Sequence, residues 1–156
     1  MEHYCISISS PIGTLWLCQQ DDALVGIHGA APAVSKQYEE KSTPLLEEAT
    51  RQLTEYFCGT RRVFDLPLAP KGTPFQQAVW QTLREIPYGE VRSYKDIAKT
   101  IGRPKACRAV GQANNRNPLL IVQPCHRVIG TNGSLTGFAH GIDMKAFLLN
   151  LESNLK

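Results

Sequence analysis

The sequence predicts an α+β protein with a small mixed first domain and a helical second domain, and three observations lead to this. Over residues 4–18 apolar and polar residues alternate, which is the two-residue period of half-buried strands. Between residues 66 and 72 two prolines and a glycine interrupt the chain, which no helix interior or central strand tolerates. Beyond them, apolar residues recur at helical spacing. We therefore expect domains at residues 1–70 and 71–156.

The first domain is expected to hold three short strands and one helix. A turn at residues 10–13 (Ser-Pro-Ile-Gly) joins the first two strands into a hairpin, and a third strand is expected at residues 24–28. Pro44 begins a helix whose first turn is acidic, and Gly59 ends it. This arrangement predicts a compact α/β scaffold.

The second domain begins with a strong helix start, because Thr73, Pro74 and Gln76 provide an N-cap, an N1 proline and a capping box. Two short helices follow at residues 93–101 and 104–113, joined by a turn that contains glycine. Their length and spacing match a helix-turn-helix whose second helix reads DNA, although a helical hairpin packed inside a domain has the same pattern.

Composition limits the class of protein. With 42% hydrophobic and 20% charged residues over 156 positions, the chain is neither disordered nor fibrous, and no apolar stretch reaches the ~20 residues of a membrane helix. The five cysteines are scattered without CxxC pairs and no secretory signal is visible, so we expect free thiols in a reducing cytoplasm.

Charge is distributed unevenly along the chain. Residues 1–66 carry five Lys and Arg against nine Asp and Glu, a net charge of −4, whereas residues 67–156 carry twelve against five, a net charge of +7. The basic half favours a phosphate-bearing or acidic partner, and Arg116 and Arg127 add to the basic residues of the second short helix. A solvated basic surface without a partner is the alternative.

Cys125 and His126, directly after Pro124, form the most informative pair in the chain. A thiol becomes a useful nucleophile when a base or positive charge favours its thiolate, and His126 and Arg127 are candidates for these roles. Adjacent residues of a strand point to opposite faces, so proton transfer between the pair requires a bend or a bridging water. A buried cysteine beside an exposed histidine is the structural alternative.

In these and other positions the sequence resembles the O6-alkylguanine-DNA alkyltransferases, or methylated-DNA–protein-cysteine methyltransferases. The resemblance implies an RNase H-like N-terminal α/β domain and a C-terminal domain with a winged-helix-like helix-turn-helix. It is close over residues 73–155 and looser before them. It rests on Pro124-Cys125-His126-Arg127-Val128-Ile129, Asn117-Pro118, Tyr88-Gly89-Glu90-Val91, Ser93-Tyr94, Arg108-Ala109-Val110-Gly111, Lys145, Phe147-Leu148-Leu149 and Leu151-Glu152, and in the first half on Ser10-Pro11-Ile12-Gly13-Thr14-Leu15 and the residues around Gly59.

The resemblance implies a role for each catalytic candidate. Cys125 takes the alkyl group from O6 of a flipped-out guanine in one irreversible step, so the protein is consumed. His126 accepts the thiol proton through a water and Glu152 holds the histidine. Tyr94 donates a proton or hydrogen bond to N3 of the departing guanine, and Asn117 orders the active-site loop. The expected last helix, about 143–155, places Glu152 at the edge of an apolar stripe formed by Met144, Phe147, Leu148, Leu151 and Leu155.

The resemblance also implies how DNA is held. Arg108 enters the duplex through the minor groove and fills the space left by the flipped base, and small neighbours let its helix lie close. Lys105, Ala109 and Gly111 belong to the same surface, and Thr131 is a candidate phosphate contact. The expected substrate pocket is walled by the loop 128–140, with Val128, Phe138 and Ala139 as its residues.

Two positions depart from the family pattern: Gln123 replaces a usually apolar residue, and His140 a usual glycine of the pocket loop. Both bear on substrate breadth. No metal is expected, because His3, Cys5, Cys18 and His28 have no regular ligand spacing.

The expected function is therefore DNA repair by a cytoplasmic monomer without cofactor or membrane association. Its substrate is double-stranded DNA carrying O6-methylguanine, and also O4-methylthymine. The alternatives are a module that recognises alkylated bases without repairing them and a cysteine hydrolase.

Overall fold

The computed structural model describes residues 3–29, 38–135 and 141–154 of the chain. The chain divides into two compact units, Met1–Lys71 and Gly72–Lys156. The first is a sheet with one helix and the second is largely helical, so the expected α+β class is confirmed. Within the described residues, no helix combines the length and the apolar character needed to cross a bilayer.

Four strands form the sheet of the first unit: β1 (His3–Ser10), β2 (Gly13–Gln20), β3 (Ala23–His28) and β4 (Glu39–Glu40). Their order is β3-β2-β1-β4, with β4 parallel to β1 and the other pairs antiparallel. The first three strands match the sequence prediction, and β4 was not expected. The hairpin closes at Gly13, whose φ of 102° favours glycine, and the Ser10 hydroxyl donates to its carbonyl.

Helix α1 (Pro44–Phe57) covers one face of this sheet. Thr43 caps its start by accepting a hydrogen bond from the Leu46 N–H, and its end precedes Gly59, which has a φ of 81°. The buried apolar side chains of the helix and sheet form the core of the unit: Leu15, Leu17, Leu24, Ile27, Leu46, Ala49, Leu53 and Tyr56.

The second unit contains α2 (Pro74–Arg84), β5 (Arg92–Ser93), α3 (Tyr94–Thr100), α4 (Cys107–Asn115), a 3₁₀ turn (Cys125–Arg127), β6 (Val128–Ile129) and α5 (Ile142–Asn154). Helices α2 and α3 each begin with a capping box. Their apolar faces pack with that of α4, and the Trp80 indole N–H donates to the Ala113 carbonyl at 2.9 Å. Strands β5 and β6 pair in parallel.

Helix α4 begins later than its sequence pattern predicts. The expected start was residue 104, but the helix runs from Cys107 to Asn115. Ala106 occupies the N-cap position and offers no side-chain acceptor, while the Ala106 N–H closes a turn on the Arg103 carbonyl. The turn between α3 and α4 includes Gly102, whose φ is 78°.

Candidate functional site

The apolar run Leu119–Val122 is buried, but it forms tight turns and not the extended strand that its composition favours. The Val122 N–H donates to the carbonyl two residues back across Ile121, whose φ is 71°. The Cys125 N–H does the same across Pro124, with φ −78° and ψ 69°. These are two γ-turns, the first strained because a β-branched residue has positive φ. They lead the backbone into the 3₁₀ turn.

This 3₁₀ turn provides the bend that the Cys–His pair requires. Three residues per turn separate successive side chains by about 120°, whereas a strand would oppose them. Both side chains are buried, with Cys125 3% exposed and His126 fully enclosed. The alternative of a buried cysteine beside an exposed histidine is therefore wrong.

Glu152, on α5, holds the buried histidine. Its Oε2 lies 2.7 Å from Nε2 of His126. Burial alone would raise the pKa of Glu152, but hydrogen bonds from His126 and Arg127 lower it well below its ordinary range. An ionised carboxylate only accepts, so Nε2 carries the ring proton.

The other ring nitrogen of His126 is consequently left as an acceptor. Burial lowers the pKa of His126 more than Glu152 raises it, so the ring is neutral near pH 7. Among the residues that the structure describes, Nδ1 has no hydrogen-bond partner. The site therefore holds a neutral imidazole whose basic nitrogen, Nδ1, is buried and can accept a proton.

Arg127 anchors Glu152 from the other side. Its Nε and one terminal nitrogen lie 2.8 and 2.9 Å from the two carboxylate oxygens, and the other terminal nitrogen donates to the Ile86 carbonyl at 2.7 Å. The Gly89 N–H also reaches Glu152, at 3.2 Å. Arg127 is only 6% exposed. The expectation that it adds to the phosphate-binding surface is therefore wrong, because its guanidinium is paired inside the unit.

Asn117 is buried and fixes the loop before the cysteine. Its Oδ1 accepts from the Leu119 N–H at 3.0 Å and from the Gln123 side chain at 2.7 Å. Its Nδ2 donates to the Gln123 carbonyl at 2.6 Å. A hydrogen bond from the Asn117 side chain also lowers the pKa of Cys125. Asn117 thus holds the loop and favours the thiolate of Cys125.

The pairing of β5 with β6 brings Tyr94 to the cysteine, since Ser93 lies opposite Ile129 just beyond the 3₁₀ turn. Tyr94 is half-buried. Burial raises its pKa, and the nearby Cys125 thiolate raises it further, so its hydroxyl remains a donor at neutral pH.

Lys145 also belongs to the site. Its positive charge near the thiol was not predicted from the sequence. It is fully buried on α5, and its Nζ lies 5.8 Å from the centre of the Tyr94 ring. Burial raises the pKa of Cys125 to about 11, and the Asn117 hydrogen bond and the Lys145 charge oppose that rise. The resting thiol is therefore protonated and needs a base.

A signal for Lys145 was available, because residues 145, 148 and 152 share one helical face. The predicted apolar stripe of α5 is partly wrong, because the buried face of the helix also contains the charged residues 145 and 152. Phe147 is 40% exposed, whereas Lys145, Leu148 and Glu152 are buried. Leu155 lies outside the described residues.

The residues expected to contact DNA lie on and beside α4. Lys105, Arg108 and Ala109 are exposed, as is Thr131 on its loop. Gly111 lies against the Tyr94 ring, where a Cβ would approach within 3.8 Å. Lys105 and Arg108, with Arg103 and Arg116, are exposed and form no ion pair with another described residue.

Of the expected pocket residues, Val128 is fully buried directly after the 3₁₀ turn. Phe138, Ala139 and His140 lie outside the residues that the structure describes. Within the described ranges, no group of three His, Cys, Asp or Glu side chains is placed to hold a metal ion.

Comparison with known proteins links both units to a single family. The model of the 6-O-methylguanine DNA methyltransferase ribonuclease-like domain matches residues 3–70, and that of the corresponding DNA binding domain matches residues 74–154. The constitutive methylated-DNA–protein-cysteine methyltransferase of Bacillus subtilis is 50% identical, with 96% of this chain and 95% of the relative covered. The methylated-DNA–protein-cysteine methyltransferase of Methanosarcina acetivorans is 49% identical, with 97% and 99% covered.

Solved structures of similar proteins agree. The crystal structure of the Mycobacterium tuberculosis O6-methylguanine methyltransferase is 43% identical, with a TM-score of 0.90 over 99% of this chain and 94% of that one. The structure of Mycobacterium tuberculosis OGT in complex with DNA is also 43% identical, with a TM-score of 0.91 over 97% of this chain and 94% of that one.

Proposed function

Because this chain belongs to the 6-O-methylguanine DNA methyltransferase family, we propose that it repairs DNA by moving the alkyl group of O6-methylguanine onto its own Cys125. The observation that carries this proposal is the buried thiol followed by a histidine whose Nε2 is held by Glu152 and whose Nδ1 is a neutral acceptor. That pairing supplies what a protonated thiol lacks, a base.

The reaction begins with proton transfer. The Cys125 thiol gives its proton to Nδ1 of His126 through a bridging water. The imidazolium that forms is stabilised by the ionised Glu152, and Lys145 and Asn117 stabilise the new thiolate. Arg127 keeps the carboxylate in place while the charge moves.

The thiolate then attacks the alkyl carbon. A sulfur–carbon bond forms, the carbon–O6 bond breaks, and its electron pair moves onto the guanine. The Tyr94 hydroxyl, kept protonated by burial, donates to N3 of that leaving group. The product is a thioether, which is stable toward the His126, Glu152, Tyr94 and Lys145 side chains of the described site, so each molecule reacts once.

The basic second unit provides the DNA surface. Gly72–Lys156 carries eleven Lys and Arg against five Asp and Glu, a net charge of +6. We assign α3 and α4 to a helix-turn-helix that lies in the minor groove, with Arg108 inserted where the alkylated base flips out and Lys105 and Thr131 contacting phosphates. Ala109 and Gly111 permit close approach. The substrate pocket, to which the buried Val128 belongs, also takes O4-methylthymine.

The five cysteines are free thiols, which fits a protein that works as a monomer in the reducing cytoplasm. Recognition of alkylated bases without repair is less well supported, because that function has no use for a thiol beside a histidine base. A cysteine hydrolase would need an acyl substrate and donors aimed at an oxyanion, and the basic helix pair serves neither requirement.

The test is to mix the protein with a duplex oligonucleotide that contains one O6-methylguanine and to measure intact and peptide masses. We expect one methyl group on the Cys125 peptide and one repaired base per protein molecule. Cys125→Ser should bind the duplex and remain unmodified. Repeated turnover, or an unmodified Cys125 after repair, would contradict the proposal.

A further inference from the structure

A chain of hydrogen bonds runs from the surface through the side chains of Arg84, Gln123 and Asn117 to the Gln123 carbonyl, two residues before Cys125. The mechanism above uses only Asn117. Arg84, the final residue of α2, is exposed, and one of its terminal nitrogens donates to Gln123 Oε1 at 2.5 Å. Gln123 is fully buried, and its Nε2 donates to Asn117 Oδ1 at 2.7 Å. The Asn117 Nδ2 donates to the Gln123 carbonyl at 2.6 Å, and the same carbonyl accepts from the Cys125 N–H at 2.7 Å. The Asn117 side chain also lowers the pKa of the Cys125 thiol.

The direction of every hydrogen bond in this chain is determined by the guanidinium. Arginine only donates, so the Gln123 amide must present its oxygen to Arg84 and therefore its NH₂ to Asn117. Asn117 must then present its oxygen, which the Leu119 N–H also requires at 3.0 Å. The Asn117 NH₂ is thereby left to donate to the Gln123 carbonyl. If either amide were flipped, its NH₂ would point at another N–H donor and that hydrogen bond would be lost.

The chain consequently begins at a positive charge and ends at the Asn117 N–H, which shares the Gln123 carbonyl with the Cys125 N–H. Hydrogen bonds aligned in one direction polarise each other, and the effect is larger where water is excluded. A donor aimed at sulfur favours the thiolate over the thiol. Because Gln123 is buried and Arg84 is exposed, the surface charge is transmitted through two amides to a site it does not touch.

We propose that Arg84 and Gln123 are positioning residues that act through Asn117 to stabilise the Cys125 thiolate. The inference rests on the proposed function only in taking Cys125 as the nucleophile. An apolar residue at position 123, as the family pattern usually has, would end the chain at Asn117 and leave the orientation of that amide to the Leu119 N–H alone. Gln123 therefore adjusts the stability of the Cys125 thiolate in this protein.

The experiment measures the ionisation of Cys125 directly. The ultraviolet absorbance of its thiolate is followed against pH as the difference between each protein and its Cys125→Ser counterpart. We expect Arg84→Met and Gln123→Leu to raise the Cys125 midpoint by about half to one pH unit, equivalent to a three- to tenfold smaller thiolate fraction at neutral pH. Arg84→Lys keeps a charged donor and should restore most of the shift.

Lys99→Met is the matched control, since it removes one exposed positive charge of the same unit outside the chain of hydrogen bonds. Unchanged midpoints in both Arg84→Met and Gln123→Leu would overturn the proposal, and so would an equal shift in Lys99→Met. If Gln123→Leu does not fold, the exposed Arg84 variants decide alone. Methyl transfer from the O6-methylguanine duplex is measured in parallel. If the wild type transfers no methyl group, the proposed function is refuted, whereas the titration still tests whether Arg84 and Gln123 affect the Cys125 thiolate.

Discussion

Each unit of the molecule contains an arginine–glutamate cluster, and the two clusters differ in burial. In the first unit Arg51 pairs with Glu48 and, at 2.7 Å, with Glu55, on the exposed side of α1 where the Arg51 side chain is 53% exposed. In the second unit Arg127 and Glu152 pair at 2.8 Å with side chains 7% and 1% exposed. Water screens the first cluster and is excluded from the second.

The difference shows where such a pair matters. An exposed pair gains little, because water solvates its partners equally well when they separate. A buried pair also gains little over an apolar replacement, but removing one partner leaves an uncompensated charge in a low-dielectric interior. The Arg127–Glu152 pair is therefore sensitive to single substitutions, and through Glu152 it sets the proton position on His126.

The largest expected effect comes from Glu152→Gln. It leaves the Arg127 guanidinium buried without a counter-ion and should reduce the free energy of unfolding by about 3–5 kcal/mol, measured by chemical denaturation. The same variant removes the acceptor that fixes the His126 proton, so alkyl transfer should slow in the fraction that remains folded.

Glu55→Gln is the matched control on the exposed cluster. It removes the charge of a carboxylate that pairs with Arg51 and Arg61, each at 2.7 Å, and that is 32% exposed. Because water reaches these pairs, we expect a loss of stability several times smaller than that of Glu152→Gln. Equal losses in the two variants would show that burial does not separate the clusters.

A second prediction concerns acid. The folded-state pKa of Glu152 is lowered from its ordinary 4.5, so its contribution to stability is complete above that value and is lost as the pH falls below it toward the folded pKa. The stability difference between wild type and Glu152→Gln should therefore shrink as the pH is lowered below about 4.5. A difference that stays constant down to the acid transition would contradict the assignment.

Sequence patterns predicted the parts of this site that depend on local rules. The capping boxes at Thr73 and Ser93 mark helix starts correctly, and the spacing of Pro124, Cys125 and His126 identifies the reactive segment. Patterns failed where tertiary contacts override local preference. The apolar run Leu119–Val122 indicates burial, but no local pattern indicates that Ile121 adopts a positive φ.

Buried charge was equally hard to predict. Lysine and arginine are usually exposed. Lys145 and Arg127 are buried here because they have partners inside the second unit. The Arg84–Gln123–Asn117 chain joins residues 39 and 6 positions apart in sequence, so no local period connects them. Helical spacing does place Lys145 with Glu152. On α5, the position of a residue around the helix therefore predicts burial better than its hydropathy does.

The smallest expected effect is on DNA affinity, when single exposed positive charges are removed from each of the two units. Arg108 lies on the proposed DNA surface and Arg62 on the first unit, and both are exposed. In the Cys125→Ser background, which prevents reaction, Lys105→Ala should weaken binding to unmodified duplex and reduce the slope of log affinity against log salt by about one, because one phosphate contact is lost. Arg108→Ala should reduce affinity more for duplexes carrying O6-methylguanine than for unmodified ones, since its side chain replaces the flipped base.

Arg62→Ala is the control on the first unit and should leave both the affinity and the salt slope unchanged. A slope that fell equally in Arg62→Ala would show that the first unit also binds DNA.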